Sequence, residues 1–249
     1  MIKKYEELSA AAWPAIHTKL YDGWVLRFSD GYTRRSNSVI PLYQSTIPAD
    51  EKIDICEREY SARNLPVIFK ISPESYPEDL DRRLEERGYT REYETALRVL
   101  ELDGAASYDT EGAVIEAEFS DSWVNGFFEC SGKKDPGVRL TARKILDNVP
   151  GKVICVSKQI DGKVAGCGYG AIDRDCVGIF DIIVREDYRQ KGCAKDMIYG
   201  ILGTAYSSGI KKAYLQVLSG NFPAENLYNK LGFKEIYRYW YRKKAIITG

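Results

Sequence analysis

Val184-Arg-Glu-Asp-Tyr-Arg-Gln-Lys-Gly-Cys-Ala-Lys195 joins a strand pattern to a helix pattern, and its reading decides the fold. On its N-terminal side Cys176–Val184 (CVGIFDIIV) is a β-branched, apolar run that reads as a buried strand. On its C-terminal side Met197, Ile198, Ile201, Leu202 and Ala205 repeat at helical spacing. Gly192 and Ala194 leave little bulk over the first helical turn, so backbone N–H groups there can face a ligand. A helix start with uncovered donors suits phosphate, and Arg189, Lys191 and Lys195 add positive charge. The stretch is a phosphate cradle of an uncommon kind. No Gly-x-x-x-x-Gly-Lys-Ser/Thr occurs, and no Gly-x-Gly-x-x-Gly follows a strand.

Composition narrows the chemistry. A chain of 249 residues can bury one large core or two small ones. Its 36 basic and 36 acidic residues cancel, which argues against nucleic acid as the main partner. No run approaches a membrane span, and the N-terminal MIKKYEELSAAAWPAIHTKL resembles neither a signal nor a transit peptide. Cys56, Cys130, Cys155, Cys167, Cys176 and Cys193 form no Cys-x-x-Cys pair, so reduced thiols in a cytoplasmic protein are expected. His17 is the only histidine, which argues against a zinc site. A Ser-His-Asp hydrolase would have to use it without a Gly-x-Ser-x-Gly.

The polar stretch Asp103–Gly112 separates two patterned halves, giving expected domains 1–103 and 112–249. The second half predicts a strand at Val114–Phe119, helices near Ser120–Cys130 and Gly137–Asn148, and strands Val153–Gln159 and Val164–Ile172 joined by an Asp161-Gly162 hairpin turn. Then follow the strand Cys176–Val184, the cradle helix to about Ser207, a strand Lys212–Leu218, and a short helix Asn221–Leu231 closed by Gly232. Phe233–Ile247 is strand-rich. The order is β-α-α-β-β-β-α-β-α-β-β, a mixed sheet with helices on its faces and an α/β (α+β) class.

The first half reads as a worn copy of the second. Leu84-Glu-Glu-Arg-Gly-Tyr-Thr-Arg-Glu-Tyr93 parallels Tyr228-Asn-Lys-Leu-Gly-Phe-Lys-Glu-Ile-Tyr237 about a shared glycine. Trp24–Ser29 and Thr33–Leu42 flank Asp30-Gly31 like a hairpin, a helix spans about Ala49–Arg63, and Val67–Ser72 is a strand. Duplication predicts two related domains; a shared β-α-β arrangement without common origin is the alternative.

Arg189-x-x-Gly192-x-Ala194, followed by Asn221-x-x-Ala224-x-x-Leu227-Tyr228-x-Lys230-x-Gly232-Phe233, resembles the GNAT superfamily of acyl-CoA-dependent N-acetyltransferases over about Val114 to Lys244. The resemblance implies the GNAT fold, a tandem arrangement with a degenerate first half, and acetyl-CoA as co-substrate. It implies that the amides of Arg189, Gln190, Lys191, Gly192, Cys193, Ala194 and Lys195 hold the pyrophosphate. It further implies that Ile182, Ile183 and Val184 bond the pantetheine arm, that Asn221 touches the cofactor, and that Tyr228 sits near its sulfur. Leu84 stands at the Tyr228 position of the first half, and Gln44-Ser45-Thr46-Ile47-Pro48 replaces the cradle, so that half is expected to bind no cofactor.

Proton accounting sets the catalytic roles. Deprotonating a lysine-like amine at pH 7 costs about 4–5 kcal/mol, and an α-amine about 1. A base therefore matters most for side-chain amines. By the resemblance Asp181 is the candidate base, directly or through water; the alternative is a carboxylate that merely pairs with a neighbouring cation. Tyr228 is the candidate donor to the departing thiolate; the alternative is a core tyrosine on the short helix. The expected acceptor is a small-molecule amine, with a protein N-terminus, or a non-catalytic acyl-CoA-binding protein, as alternatives. No nucleic acid or membrane partner and no metal is expected, and the protein would be a monomer or homodimer. Gly166-x-Gly168-x-Gly170 reads as close strand packing, Arg34-Arg35 as a solvated or salt-bridged pair, and Tyr237–Arg242 as an aromatic strand.

Overall fold

The computed structural model describes residues 1–103, 108 and 112–245. Over these, the chain divides into two compact units. The first comprises Met1–Leu97, Leu218–Gly220 and Ile236–Gly249; the second comprises Arg98–Val217 and Asn221–Glu235. The units are therefore not consecutive segments, in contrast to a division at 103/112. The stretch Asp103–Gly112, apart from Asp103, Tyr108 and Gly112, lies outside the described residues.

The first unit holds α1 (Ile2–Ala12), β1 (His17–Tyr21), β2 (Trp24–Phe28), β3 (Val39–Ile40), α2 (Ala49–Ser61), β4 (Val67–Ile71), α3 (Leu80–Glu86) and most of β5 (Thr90–Glu101). Its strand order is β1-β2-β3-β4-β11-β5, where β11 (Lys234–Lys244) is the last strand among the described residues. β11 runs antiparallel to β4, with Trp240 opposite Ile71 and Lys244 opposite Val67. Trp24, Leu26, Ile53, Phe69, Leu80 and Leu84 are fully buried in this unit's core. Tyr237, Tyr239 and Tyr241 alternate along β11 as buried residues. Glu6 ties this face to α1: it accepts from the Tyr237 hydroxyl at 2.7 Å and pairs with Lys70 at 2.6 Å.

The strands expected to flank Asp30-Gly31 do pair antiparallel, β2 with β3 at Val25/Ile40 and Leu26/Val39, but across a long loop rather than a tight turn. The tight hairpin is one step earlier, with Asp22-Gly23 joining β1 to β2 and both residues at positive φ. After Gly31 the chain forms a 3-10 turn at Arg34–Ser36. Asn37 organises it: its Oδ1 accepts from the Ser29 and Gly31 amides at 2.7 and 3.1 Å, and its Nδ2 donates to the Thr33 carbonyl at 2.8 Å.

The second unit contains β6 (Val114–Glu116), α4 (Asp121–Ser131), α5 (Pro136–Asp147), β7 (Lys152–Ile160), β8 (Lys163–Asp173), β9 (Cys176–Val184), α6 (Cys193–Ser207), β10 (Lys212–Leu218, to Val217) and α7 (Phe222–Lys230). The strand order is β10-β9-β8-β7-β6, with the end of β5 beside β10. Asp161 and Gly162, at φ 52° and 71°, make the two-residue turn between β7 and β8. Ser120 and Asp135 cap α4 and α5, accepting from Trp123 and Val138 amides. The glycines at 166 and 170 let α6 approach β8: a Cβ would meet Met197 Cε at 2.9 Å and Ile201 Cγ2 at 2.6 Å, respectively. Among the described residues one long strand, Lys234–Lys244, takes the place of the two expected, while residues 246–247 of the expected stretch lie outside them.

Each half repeats one plan: an Asp-Gly hairpin, a third strand, a helix, a strand parallel to the third, a short helix, and a final strand. The short helices end alike. Gly88 and Gly232 sit at φ 81° and 89°, Tyr89 N–H donates to Leu84 O, and Phe233 N–H donates to Tyr228 O, both at 3.0 Å.

Asp81 anchors β11 in the first unit. It accepts from Arg242 Nε and Nη2 at 2.8 and 3.0 Å and from Trp240 Nε1 at 2.7 Å. Burial opposes its ionised form, but the Arg242 and Trp240 hydrogen bonds outweigh that and hold its pKa below the usual carboxylate range. The Arg242 side chain is 5% exposed, and without Asp81 it would keep only a longer pair with Glu85 at 3.3 Å and the Tyr89 carbonyl at 3.3 Å. Asp81→Ala should destabilise the protein by about 2–3 kcal/mol in urea unfolding, whereas Glu86→Ala, which breaks an exposed pair with Arg82, should be nearly silent.

Candidate active site

The site is built on the point where β9 leaves β10. The two strands pair in parallel from Cys176/Lys212 to Ile179/Leu215, yet β9 continues to Val184. Against β8 the register shifts in the same place: Tyr169 faces Phe180 while Cys167 faces Ile183, so Asp181 and Ile182 together oppose Gly168. That is a β-bulge, and Asp181 carries it at φ 48°, in the left-handed region. Ile183 and Val184 remain paired to Cys167 and Gly166 on one side. The other edge of Ile182–Val184 lies beyond the β10 ladder, where extended backbone groups can meet a ligand.

Beyond Val184 comes a 3-10 turn, Glu186–Tyr188, and then the cradle. Gln190 and Gly192 lie at φ 61° and 81°, a backbone that gathers successive N–H groups into an anion-binding concavity. The Arg189 amide donates to Glu186 O at 3.2 Å and is spent. The amides of Gln190, Lys191, Gly192, Cys193, Ala194 and Lys195 have no backbone acceptor among the described residues, and Asp196 N–H donates to Gly192 O at 3.1 Å as the helix begins. A Cβ on Gly192 would have nothing nearer than Asp196 Oδ1 at 4.0 Å, so the space above the turn is open. Cys193 points inward, 1% exposed, its thiol near Tyr188 O at 3.5 Å. Lys191 and Lys195 rest over the rings of Tyr188 and Tyr199, with their charge at the cradle's rim.

Helix α7 brings the remaining candidates. Asn221 caps it, its Oδ1 accepting from the Ala224 amide at 3.4 Å, and Pro223 fits the first turn. Its side-chain NH2 is a second, separate donor. Tyr228 is half-buried, with its ring edge-on to Phe233 at 6.1 Å between centroids. Burial pushes its phenol up to about 12, and the Arg98 guanidinium works against that rise. Arg98 itself, on β5, gave no signal in the sequence, because nothing in a strand's local pattern announces a partner on a distant helix.

The matching place in the first unit is closed by the chain itself. Asp22 accepts from the Thr46 amide at 2.9 Å and the Ile47 amide at 2.8 Å, in the loop that leads into α2. Lys52, fully buried, pairs with Asp22 at 3.5 Å and donates to Asp22 O and to Ser45 Oγ. An internal carboxylate thus occupies amides ahead of the first unit's helix. Leu84, at the position of Tyr228, is fully buried. Among the described residues no group of His, Cys, Asp or Glu could hold a metal ion, and no helix is long and apolar enough to cross a membrane.

Comparison with known proteins adds relatives along nearly the whole chain. The family described as "Probable histone acetyltransferase Rv0428c C-terminal" matches residues 1–242. The uncharacterized N-acetyltransferase YobR of Bacillus subtilis (strain 168) is 28% identical over 247 residues, 98% of each chain. Among solved structures, a GCN5-related N-acetyltransferase from Kribbella flavida superposes at a TM-score of 0.68 and 14% identity, over 96% of this chain and 95% of that one. A tandem GNAT protein from the clavulanic acid biosynthesis pathway reaches 0.58 at 10% identity, over 83% and 74%. At such identities the solved structures establish the fold, a mixed sheet of the GNAT type.

Asp22 supplies a test of the closed site. The Ile47 and Thr46 amides hold its pKa down to about 2. A depressed carboxylate stabilises the fold fully above its unfolded pKa near 3.9 and loses that contribution as pH falls through the folded value. Asp22→Asn should therefore lower the urea midpoint at pH 7 and flatten its decline between about pH 4 and 2. An unchanged acid limb would show that those amides do not depend on the carboxylate.

Proposed function

The chain belongs to the family of the Rv0428c C-terminal domain, an N-acetyltransferase of the GNAT type, and we propose that it moves acetyl from acetyl-CoA to the primary amine of a small metabolite. The observation that carries this reading is the run of unspent amides from Gln190 to Lys195 at the start of α6, next to the unpaired edge of β9. Such donors at a helix N-terminus suit a pyrophosphate. In this reading Ile182, Ile183 and Val184 bond the pantetheine amides like an added strand, Asn221 donates to the cofactor, and Arg189, Lys191 and Lys195 contribute charge around the phosphates. The first unit, with its amides taken by Asp22 and Leu84 in place of a phenol, is the degenerate partner that binds no acyl donor.

The acyl donor supplies an activated thioester carbonyl. The chain's residues handle the protons. Asp181, turned at the bulge, accepts the amine's proton through a water, leaving the nitrogen lone pair free to attack. Tyr228 keeps its proton across the physiological range, since its pKa lies near 12. Its O–H therefore acts first as a hydrogen-bond donor to the sulfur as negative charge builds there. Full transfer to a thiolate of ordinary pKa near 8.5 is uphill by about 5 kcal/mol unless the site offsets it. A neutral net charge offers no long-range field for a strongly basic protein tail, which favours the small acceptor. A lysine on a histone-like protein is the second reading, drawn from the family's description.

CoA release measured on a panel of polyamines, amino acids, aminoglycoside-type amines and a histone tail peptide separates these acceptors; turnover on the peptide alone would replace the small-metabolite reading. Tyr228→Phe should lower kcat by about 100-fold with the acetyl-CoA dissociation constant nearly unchanged. Gly192→Glu places bulk and negative charge over the cradle, so calorimetry should show acetyl-CoA binding lost. Gly192→Ala, which shares the backbone strain at φ 81° without the charge, should retain much of it. Full binding by Gly192→Glu would overturn the placement of the pyrophosphate.

A further inference from the structure

We propose that Arg98 is a positioning residue for Tyr228, fixing the helix turn that carries the phenol and keeping a positive charge beside it. The proposal rests on the reading of Tyr228 as proton donor. Arg98 is 7% exposed and belongs to the second unit with α7. Its Nη1 donates to Asn229 Oδ1 at 2.6 Å and to Glu225 O at 3.4 Å. Those two residues bracket Tyr228 on the helix, one position after it and three before. The guanidinium thus grips the turn from which the phenol projects.

The charge on that grip is the informative part. Both acceptors are neutral oxygens, and Arg98 Nε is buried with no hydrogen-bond partner. Among the described residues no carboxylate pairs with Arg98. A buried cation without a counter-ion is costly, and docking α7 on β5 does not require one. Leu100, two residues along the same strand, already meets that end of the helix by apolar contact: a Cβ at Gly232 would touch its Cδ1 at 3.4 Å. What a leucine cannot supply is a field that favours negative charge on the neighbouring oxygen. Burial alone drives the phenol up, and Arg98 is the one cation that works against the rise.

The reaction has a use for that field. The amine nitrogen bonds to the thioester carbonyl carbon, the C–S bond breaks, and its electron pair goes to sulfur. The Tyr228 proton then passes to sulfur, leaving a phenolate beside Arg98. The proton released by the acylated nitrogen, carried by water, restores the phenol. Atoms and charge balance as amine plus thioester giving amide plus thiol. Arg98 stabilises the phenolate stage and is never consumed.

The test is a double-mutant cycle with Arg98→Gln, which keeps an amide donor for Asn229 but removes the charge, and Arg98→Lys, which keeps the charge. Each is made alone and with Tyr228→Phe, and assayed with acetyl-CoA and the fastest amine of the panel. Arg98→Gln should lower kcat by about tenfold with KM for acetyl-CoA within about twofold, and Arg98→Lys should restore most of it. In the Tyr228→Phe background, Arg98→Gln should cost less than about twofold. An equal loss in both backgrounds, or a raised KM with kcat intact, would reduce Arg98 to a structural clamp and overturn the proposal. A wild-type kcat in Tyr228→Phe would instead sink the donor reading on which it stands. A readout independent of the acceptor is the 13Cζ resonance of Tyr228, identified by its loss in Tyr228→Phe. Its alkaline titration should begin at higher pH in Arg98→Gln than in the wild type, and the same onset in both would count against the field. Thermal midpoints of all variants show whether the fold is kept.

Discussion

The parting of β9 from β10 after Ile179 is the constraint on which the site depends. Up to that point the strands are held close: a Cβ at Gly178 would meet the Tyr214 hydroxyl at 2.5 Å, so only glycine lets the tyrosine lie across the strand there. Beyond it, the bulge at Asp181 adds a residue to β9 without a counterpart on β8 and turns the strand's course. On the far edge β9 then lacks a strand partner, the Val184 carbonyl accepting from Arg189 Nε at 3.4 Å, and any backbone group left unmet there must find water or a ligand. The same turn of direction delivers the chain to Gln190–Gly192, where a second set of unmet donors opens α6. One irregularity in one strand thus creates both halves of an extended polar seat. α7, arriving from the end of β10, adds a phenol.

The first unit shows what happens when the plan is kept and the seat is filled. Its hairpin, parallel strand pair and glycine-ended short helix repeat those of the second unit, down to the 3.0 Å bond that closes each helix. The difference lies in where donors point and what meets them. Asp22, one of the two hairpin-turn residues, reaches the Thr46 and Ile47 amides, with Lys52 buried behind it. At the corresponding turn of the second unit, Asp161 and Gly162 are exposed and the α6 amides are left unspent. A carboxylate on the Thr46 and Ile47 amides satisfies them as an anionic ligand would.

Much of the second unit was legible in the sequence because its elements carry strong local signals. Cys176–Val184 and Lys212–Leu218 have the predicted limits, since each is a mostly apolar run flanked by charged or polar residues. The turn at Asp161-Gly162 is similarly explicit, because both positions need positive φ. What escaped was non-local or weakly patterned. β1 (HTKLY) is exposed at four of its five residues, so it shows no apolar alternation, and only the β2–β3 pair about Asp30-Gly31 is legible. There Asn37 gathers the loop through its own side chain, a device that periodicity does not reveal. The cradle was readable from Gly192 and Ala194, but the loss of the Arg189 amide to Glu186 needed the 3-10 turn to be seen. Arg98 was silent for the same reason: its partners lie on a helix far along the chain.

The least legible feature is the destination of β11 in the first unit. β11 follows α7 and the Gly232 turn directly, yet from Ile236 onward it belongs to the first unit, paired with β4 and pinned to Asp81. Its Tyr237, Tyr239, Tyr241 and Arg242 are buried in that unit. Removing the first half would leave an eleven-residue strand with buried aromatics and a bare edge, which is an invitation to aggregation. Removing the last strand would open β4 in the same way. A chain divided between its halves would part β11 from β4, its partner strand in the first unit. The first unit therefore has a structural role in housing β11.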